Sequence, residues 1–152
     1  MTTIVYCHKS KTIAADGRST SAGLIVSDTE EKWREDSNGR LWFMSGSVCD
    51  YQLLMDTFMF NVRSYGLKEI PDAIGFAVGG GNVVLHGITD SGEAWSQHLT
   101  SSRCIGSGAS FALAALDHGK TAEEAVAYAA TRDVYTGGNI SVYDVNTGKF
   151  LK

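Results

Sequence analysis

A chain of 152 residues with 43% hydrophobic side chains is long enough to bury a sizeable core and is expected to form a single domain spanning 1–152. Its net charge of −4 and the absence of a basic run argue against a nucleic-acid surface, and no apolar stretch approaches the ~20 residues of a membrane span. Three separated cysteines (Cys7, Cys49, Cys104) and scattered histidines predict reduced thiols, with no disulfide framework, no metal site and no cofactor.

In chain order, alternating apolar residues predict strands over 3–7 and 12–15, joined by polar His8-Lys9-Ser10-Lys11 as a hairpin. A third strand is expected over 21–27. Trp33 and the run 41–44 flank Asp36-Ser37-Asn38-Gly39, and Asn-Gly is a strong hairpin signal. The period then changes. Tyr51, Leu54, Met55, Phe58, Val62 and Tyr65 fall on one helical stripe, with Ser47 or Asp50 as the cap and Gly66 as the stop. A meander follows over 73–78, 82–88 and 94–99, turning at Gly79-Gly80-Gly81 and Asp90-Ser91-Gly92.

Cys104 to Gly108 opens a helix over 109–118 that Gly119 ends. Thr121 and Glu124 have capping-box spacing, and the helix behind them runs to about Asp133 with Ala125, Val126, Ala129 and Ala130 inward. Strands over 140–143 and 149–151 form the closing hairpin around Asn146-Thr147-Gly148. Strands, helix, strands, two helices, strands is the order of an α+β domain, read here as two packed sheets with helices outside, a four-layer arrangement.

Chemistry enters at Thr2. Aminopeptidases remove an initiator Met before a small side chain, so loss of Met1 would leave Thr2 with a hydroxyl and a free α-amine on one residue. That pairs a nucleophile with its own base. An α-amine has an ordinary pKa of about 7.7–8, so a modest downward shift makes it a usable base at neutral pH.

Six pieces stand in order: Thr2-Thr3-Ile4-Val5; Ile13 to Arg18 around Asp16; Lys32; Ser45-Gly46-Ser47 with Asp50; Ile105-Gly106-Ser107-Gly108 ahead of a helix; and Asp133 to Gly138. Together they resemble the proteasome β-subunit family, including its bacterial HslV-type relatives, which are threonine peptidases of the N-terminal-nucleophile fold. The resemblance runs from Thr2 to the last hairpin. It implies an αββα sandwich and a threonine-type endopeptidase acting inside a self-compartmentalised homo-oligomer.

By that resemblance, Thr2 is the nucleophile and Lys32 the active-site lysine that lowers the pKa of the amine. Asp16 pairs with the lysine, and the Gly46 backbone N–H forms the oxyanion hole. Ser107, Asp133 and Thr136 are the polar group around the amine. Ser19 and Thr20 lie on the strand that receives the substrate as an added strand, and Met44 lines the S1 pocket, favouring an apolar P1 residue. Taken singly, each has a plainer role: Asp16 and Asp133 as turn caps, Lys32 as a solvated residue, Met44 as core, Ser107 as a helix cap.

The chain departs from the pattern in a shorter first hairpin and in the absence of a propeptide, so activation is expected to rest on removal of Met1. The third departure lies between Gly66 and Ile74, where the family places a second long helix and this chain has Pro71 and too few residues. One outer helix layer is therefore expected to be reduced, leaving the flank near Phe58, Met59 and Phe60 exposed. The expected partners are a peptide or unfolded protein substrate, copies of the chain in a ring and a separate ATP-dependent unfoldase, since no nucleotide motif is present. Nucleic acid and membrane are not expected partners. With no signal-peptide pattern, the expected location is cytoplasmic. The competing functions are a small-molecule amidase with the same nucleophile and a catalytically silent scaffold subunit.

Overall fold

The computed structural model describes residues 2–60 and 70–152. The chain divides into two compact units, one formed by Met1–Lys32 with Thr100–Lys152 and the other by Trp33–Leu99. The architecture is α+β. Every strand pair among the described residues is antiparallel.

The first unit holds β1 (Thr3–Cys7), β2 (Thr12–Ala15), β3 (Ser19–Ser21), β4 (Leu24–Ser27), β10 (Arg103–Gly106), β11 (Ser141–Asp144) and β12 (Lys149–Phe150). Its five-stranded sheet runs β10-β1-β2-β11-β12. Val5, Ala14 and Val142 pack with α2 (Ala109–Asp117) and α3 (Ala122–Ala130) through Ala112, Ala115, Ala122, Ala125, Val126 and Ala129. Alanines at these positions let helix and sheet backbones approach closely. Ala122, Ala125, Val126 and Ala129 follow the i, i+3, i+4, i+7 stripe of an amphipathic helix. The capping box forms: Thr121 Oγ1 accepts from the Glu124 N–H at 3.2 Å, and Glu124 Oε2 accepts from the Thr121 N–H at 3.0 Å.

Three expectations in this unit need correction. The stretch 21–27 is not one strand. Ala22 and Gly23, both with positive φ, turn the chain between β3 and β4, which pair as a separate two-stranded sheet. Cys104 to Gly106, read with Ser107 and Gly108 as the opening of a helix, belong to β10, where Ile105 pairs with Ile4 along the edge of β1. The helix after Thr121 stops at Ala130, three residues before Asp133.

The second unit is the sheet β5-β6-β7-β8-β9, formed by Trp33–Glu35, Leu41–Gly46, Ala73–Gly79, Asn82–Ile88 and Ala94–His98 in chain order. It carries a 3-10 turn at Val48–Asp50 and α1 (Tyr51–Met59). Trp42, Met44, Tyr51, Leu54, Met55 and Ala77 form its core. Burying each of the larger of these side chains contributes roughly 1.5–3 kcal/mol before entropy is counted.

Neither Ser47 nor Asp50 caps a helix with its side chain. Asp50 instead accepts from the Asp72 N–H at 2.9 Å. The expected helical positions Val62 and Tyr65, the stop at Gly66 and most of the segment thought to lack a second helix lie outside the described residues. Phe58 is not part of an exposed flank: its ring lies 4.3 Å from His86 and 6.1 Å from Trp42. Phe60 is 68% exposed. Among the described residues no helix is long and apolar enough to cross a membrane.

Candidate active site

Thr2 stands one residue before β1, and Asp16 directly follows β2. The register Ile4↔Ala15 brings the two ends together, and the Asp16 N–H donates to the Thr3 carbonyl at 3.2 Å. Thr2 is fully buried and its Oγ1 donates to Asp16 Oδ1. The same carboxylate accepts from the Thr3 N–H at 3.0 Å, the Gly137 N–H at 3.0 Å and the Arg18 N–H at 3.3 Å. So many donors fix the carboxylate rigidly against Thr2.

Lys32 is also buried, and its Nζ donates to the Arg18 carbonyl at 2.6 Å. Burial pushes Asp16 above the usual carboxylate range, opposed by the charge of Lys32 and by the backbone donors. Burial likewise pushes Lys32 below its ordinary value, opposed by Asp16 and Glu30. Both shifts have the same cause, since desolvation disfavours charge while the opposite partner restores it. The result is an ammonium that yields its proton more easily than a surface lysine does.

A second carboxylate, Asp133, is linked to Thr2 through Ser107. Asp133 Oδ2 accepts from Ser107 Oγ at 2.5 Å and from Thr136 Oγ1 at 2.6 Å, and Oδ1 accepts from the Tyr135 N–H at 3.2 Å. Burial raises the Asp133 pKa, but the hydroxyls of Ser107 and Thr136 outweigh it, so the carboxyl sits below its usual range. Ser107 Oγ lies 3.4 Å from the Thr2 carbonyl oxygen. Ser107 follows β10 and precedes Gly108, the residue that caps α2. A Cβ on Gly108 would stand 2.1 Å from Thr3 Oγ1 and 2.9 Å from Thr136 Oγ1, so this position must be glycine for the site to close.

The first unit thus brings Thr2, Asp16, Lys32, Ser107, Asp133 and Thr136 into one neighbourhood. Beside it lies a cavity of about 400 Å³, lined among others by Arg18, Thr20, Ile25, Asp133, Val134 and Tyr135. Thr20 therefore faces the same space as Asp133, while Ser19 is half-buried at the start of β3. Arg18 holds the rim, donating from Nε to Asp28 at 2.8 Å and from a terminal nitrogen to the Val134 carbonyl at 3.3 Å.

Met44 and Gly46 belong to the other unit. Met44 is 0% exposed and packed in that unit's core. Gly46 ends β6 with φ of +125°, and a Cβ there would lie 2.2 Å from the Asp72 carbonyl oxygen. That close approach of β6 to residues 72–73 requires glycine.

Sequence reasoning missed Thr3. It is fully buried, and its Oγ1 lies 2.6 Å from Thr136 Oγ1. The available signal was slight: a polar residue at the first position of a strand whose next three residues, Ile4, Val5 and Tyr6, are apolar and buried. The backbone N–H of Gly137, which supports Asp16, carries no side-chain signal at all.

No protein-family model matches the chain, and neither does any curated protein. Solved structures do. The crystal structure of eukaryotic HslV from Trypanosoma brucei superposes with a TM-score of 0.69 at 19% identity, covering 92% of this chain and 97% of that one. Thiobacillus denitrificans BPH in complex with epoxomicin superposes with a TM-score of 0.72 at 17% identity, covering 94% and 98%. The HslV-type fold read from the sequence is the fold of this chain.

Proposed function

We propose that this protein is a threonine-type endopeptidase whose nucleophile is Thr2, freed at the chain terminus by removal of Met1. The observation that carries the reading is the convergence of two carboxylate clusters on one threonine, with Asp16 at its hydroxyl and the Ser107–Asp133 pair at its carbonyl.

In this reading the α-amine of Thr2 takes the Oγ1 proton as the oxygen attacks a peptide carbonyl. A nearby lysine disfavours the ammonium form of that amine and keeps it a base. Ser107 donates its hydroxyl hydrogen bond to Asp133, which leaves the Ser107 Oγ lone pairs to accept from the amine N–H. By the resemblance, the oxyanion of the tetrahedral intermediate would fall to the backbone N–H of Gly46. Collapse expels the leaving amine, which takes the proton from the Thr2 ammonium, and leaves an ester on Oγ1. Water, deprotonated by the same amine, then cleaves the ester and restores Thr2.

Ser19 and Thr20 would receive the substrate backbone as an added strand, and Met44 would floor an S1 pocket that prefers apolar P1 residues. By the resemblance, residues 1–152 would be a single domain of the αββα type with one outer helix layer reduced. Working copies would assemble as a homo-oligomeric ring in the cytoplasm, fed with unfolded protein by a separate ATP-dependent unfoldase. The HslV likeness supports the fold from which this arrangement is proposed.

The test is intact mass after incubation with a peptide epoxyketone, run beside peptide hydrolysis. We expect one adduct per chain on protein lacking Met1, and none on Thr2→Ala or on chains that retain Met1. Equal labelling and hydrolysis by Thr2→Ala would overturn the reading. Light scattering coupled to gel filtration tests assembly: a strict monomer that cleaves small amides would replace the endopeptidase with the amidase.

A further inference from the structure

Hydroxyl protons can be counted around Asp133. Its carboxyl is acceptor-only when ionised, so the contacts at 2.5 Å and 2.6 Å use the single protons of Ser107 and Thr136 respectively. Thr136 then has no proton left for Thr3. The 2.6 Å contact between the two threonine hydroxyls must therefore run from Thr3 Oγ1 as donor to Thr136 Oγ1 as acceptor. The hydrogen-bond chain has one direction, from Thr3 through Thr136 to Asp133.

The backbone of Thr3 meets the other carboxylate. Its N–H donates to Asp16 Oδ1, the oxygen that also accepts from the Thr2 hydroxyl. One residue thus ties both clusters that flank Thr2, through its main chain on one side and its side chain on the other. The side chain is fully buried, and its Oγ1 occupies the space that a Cβ on residue 108 would need.

We infer that Thr3 is a positioning residue: its hydroxyl locks the Thr136–Asp133–Ser107 group in register with Asp16, so that Thr2 is held from both sides in one geometry. The inference rests on the proposed role of Thr2. Thr3 touches neither substrate nor reacting atoms; it acts through Thr136 and Asp133.

Thr3→Val keeps the shape and removes the donor. Because small misplacements in a catalytic group are costly, we expect kcat to fall roughly ten- to a hundredfold, with KM changed less than about threefold. Thr3→Ser restores the donor and should return kcat to within about threefold of the parent. Thr3→Ala, which cannot overpack the site, serves if the valine variant does not fold. Intact mass must show Met1 removed in every variant, and Thr2→Ala is assayed alongside. Thr3→Val at parental kcat, or Thr3→Ser as impaired as Thr3→Val, overturns the inference while Thr2→Ala remains inactive. Failure of both Thr3→Val and Thr3→Ala to fold would assign the hydroxyl to stability and overturn it too. Retained activity in Thr2→Ala would instead remove the reading on which it depends.

Discussion

The two units bury polar groups in different ways. In Trp33–Leu99 the partners that buried polar side chains find lie close by in the chain or across one strand pair, and among the described residues the buried His86 Nε2 has none. Asp36 accepts from the N–H groups of Asn38 and Arg40, from Arg40 Nε and from Trp42 Nε1, all within one hairpin. Thr57 Oγ1 donates to the Leu53 carbonyl one helical turn back, and His86 Nδ1 pairs with Ser96 Oγ on the adjacent strand. In the other unit the partners are remote: Thr3 with Thr136, Asp16 with Gly137, Ser107 with Asp133. Local polar burial shapes a turn or a strand end, and a fold needs it. Remote polar burial gathers several loops onto one residue, which a fold does not need and a catalytic site does.

The sharpest way to break this contrast is at Thr2. Thr2→Ala should lower peptide hydrolysis by several orders of magnitude, since removing one member of a cooperating catalytic set costs on that scale. Lys32→Ala should do nearly as much. For Thr2→Ala the urea unfolding midpoint should stay close to the parent, because the hydroxyl serves the site more than the core. A variant that loses stability in proportion to activity would erase the distinction drawn between the units.

Asp36→Ala is the mirror experiment. It strips partners from the buried Trp42 indole N–H and from Arg40. Stability should fall by about 3 kcal/mol, in the range for orphaning buried donors and a partly buried ion pair. Peptide hydrolysis per folded molecule, measured well below the melting temperature, should be near parental. A specific activity that collapses while the fold survives would place Asp36 with the site.

His86 sharpens the comparison through pH. Burial, reinforced by the charge of Arg40, pushes its pKa down from 6.5 to about 4. The unfolded chain therefore takes up this proton first on acidification. Its contribution to stability is whole above about pH 6.5, declines as pH falls toward about 4, and levels off below. The full decline is about 3 kcal/mol, because each tenfold difference in proton affinity between the folded and unfolded chain is worth roughly 1.4 kcal/mol. Asp36 is pushed up by burial, but hydrogen bonds from Trp42 and Arg40 outweigh this and hold it below the usual carboxylate range. Its own contribution is lost only as pH falls below the unfolded carboxylate value, so the two windows separate. Urea midpoints between about pH 7 and pH 4.5 should slope less steeply in His86→Gln than in the parent. Matching slopes would show that another group governs acid sensitivity.

The local signals in the sequence carried the fold a long way. Asn-Gly located the β5–β6 turn, the glycine run located the β7–β8 turn, and Thr121 with Glu124 located α3. The failures share a cause, which is that tertiary pairing decides. Residues 103–106 have no strand period and become β10 because the edge of β1 is there to pair with. Ser47 and Asp50 look like caps, but Asp50 is drawn to the Asp72 N–H instead. Thr2, Asp16, Lys32, Ser107, Asp133 and Thr136 were legible through an ordered motif. Thr3 and Gly108 were not, because a buried hydroxyl and an absent Cβ acquire meaning only when residues 3, 108 and 136 meet.

The smallest expected effect is a control within the same unit as the site. The Thr121 and Glu124 capping box joins residues three apart, the local kind of polar contact that typifies the other unit. If sequence separation is the correct divide, this contact should behave structurally even though α3 belongs to the unit that holds Thr2. Thr121→Ala should cost about 1 kcal/mol, typical of a lost N-cap. Thr121→Ser should restore nearly all of it, because serine offers the same acceptor to the Glu124 N–H. Hydrolysis at a temperature where both variants are fully folded should match the parent. A loss of kcat in Thr121→Ala that Thr121→Ser does not recover would mean that the position of α3 itself reaches the site, through Ala129 packed beside Gly108. The boundary between folding and chemistry would then run through the helix and not around the residues that meet at Thr2.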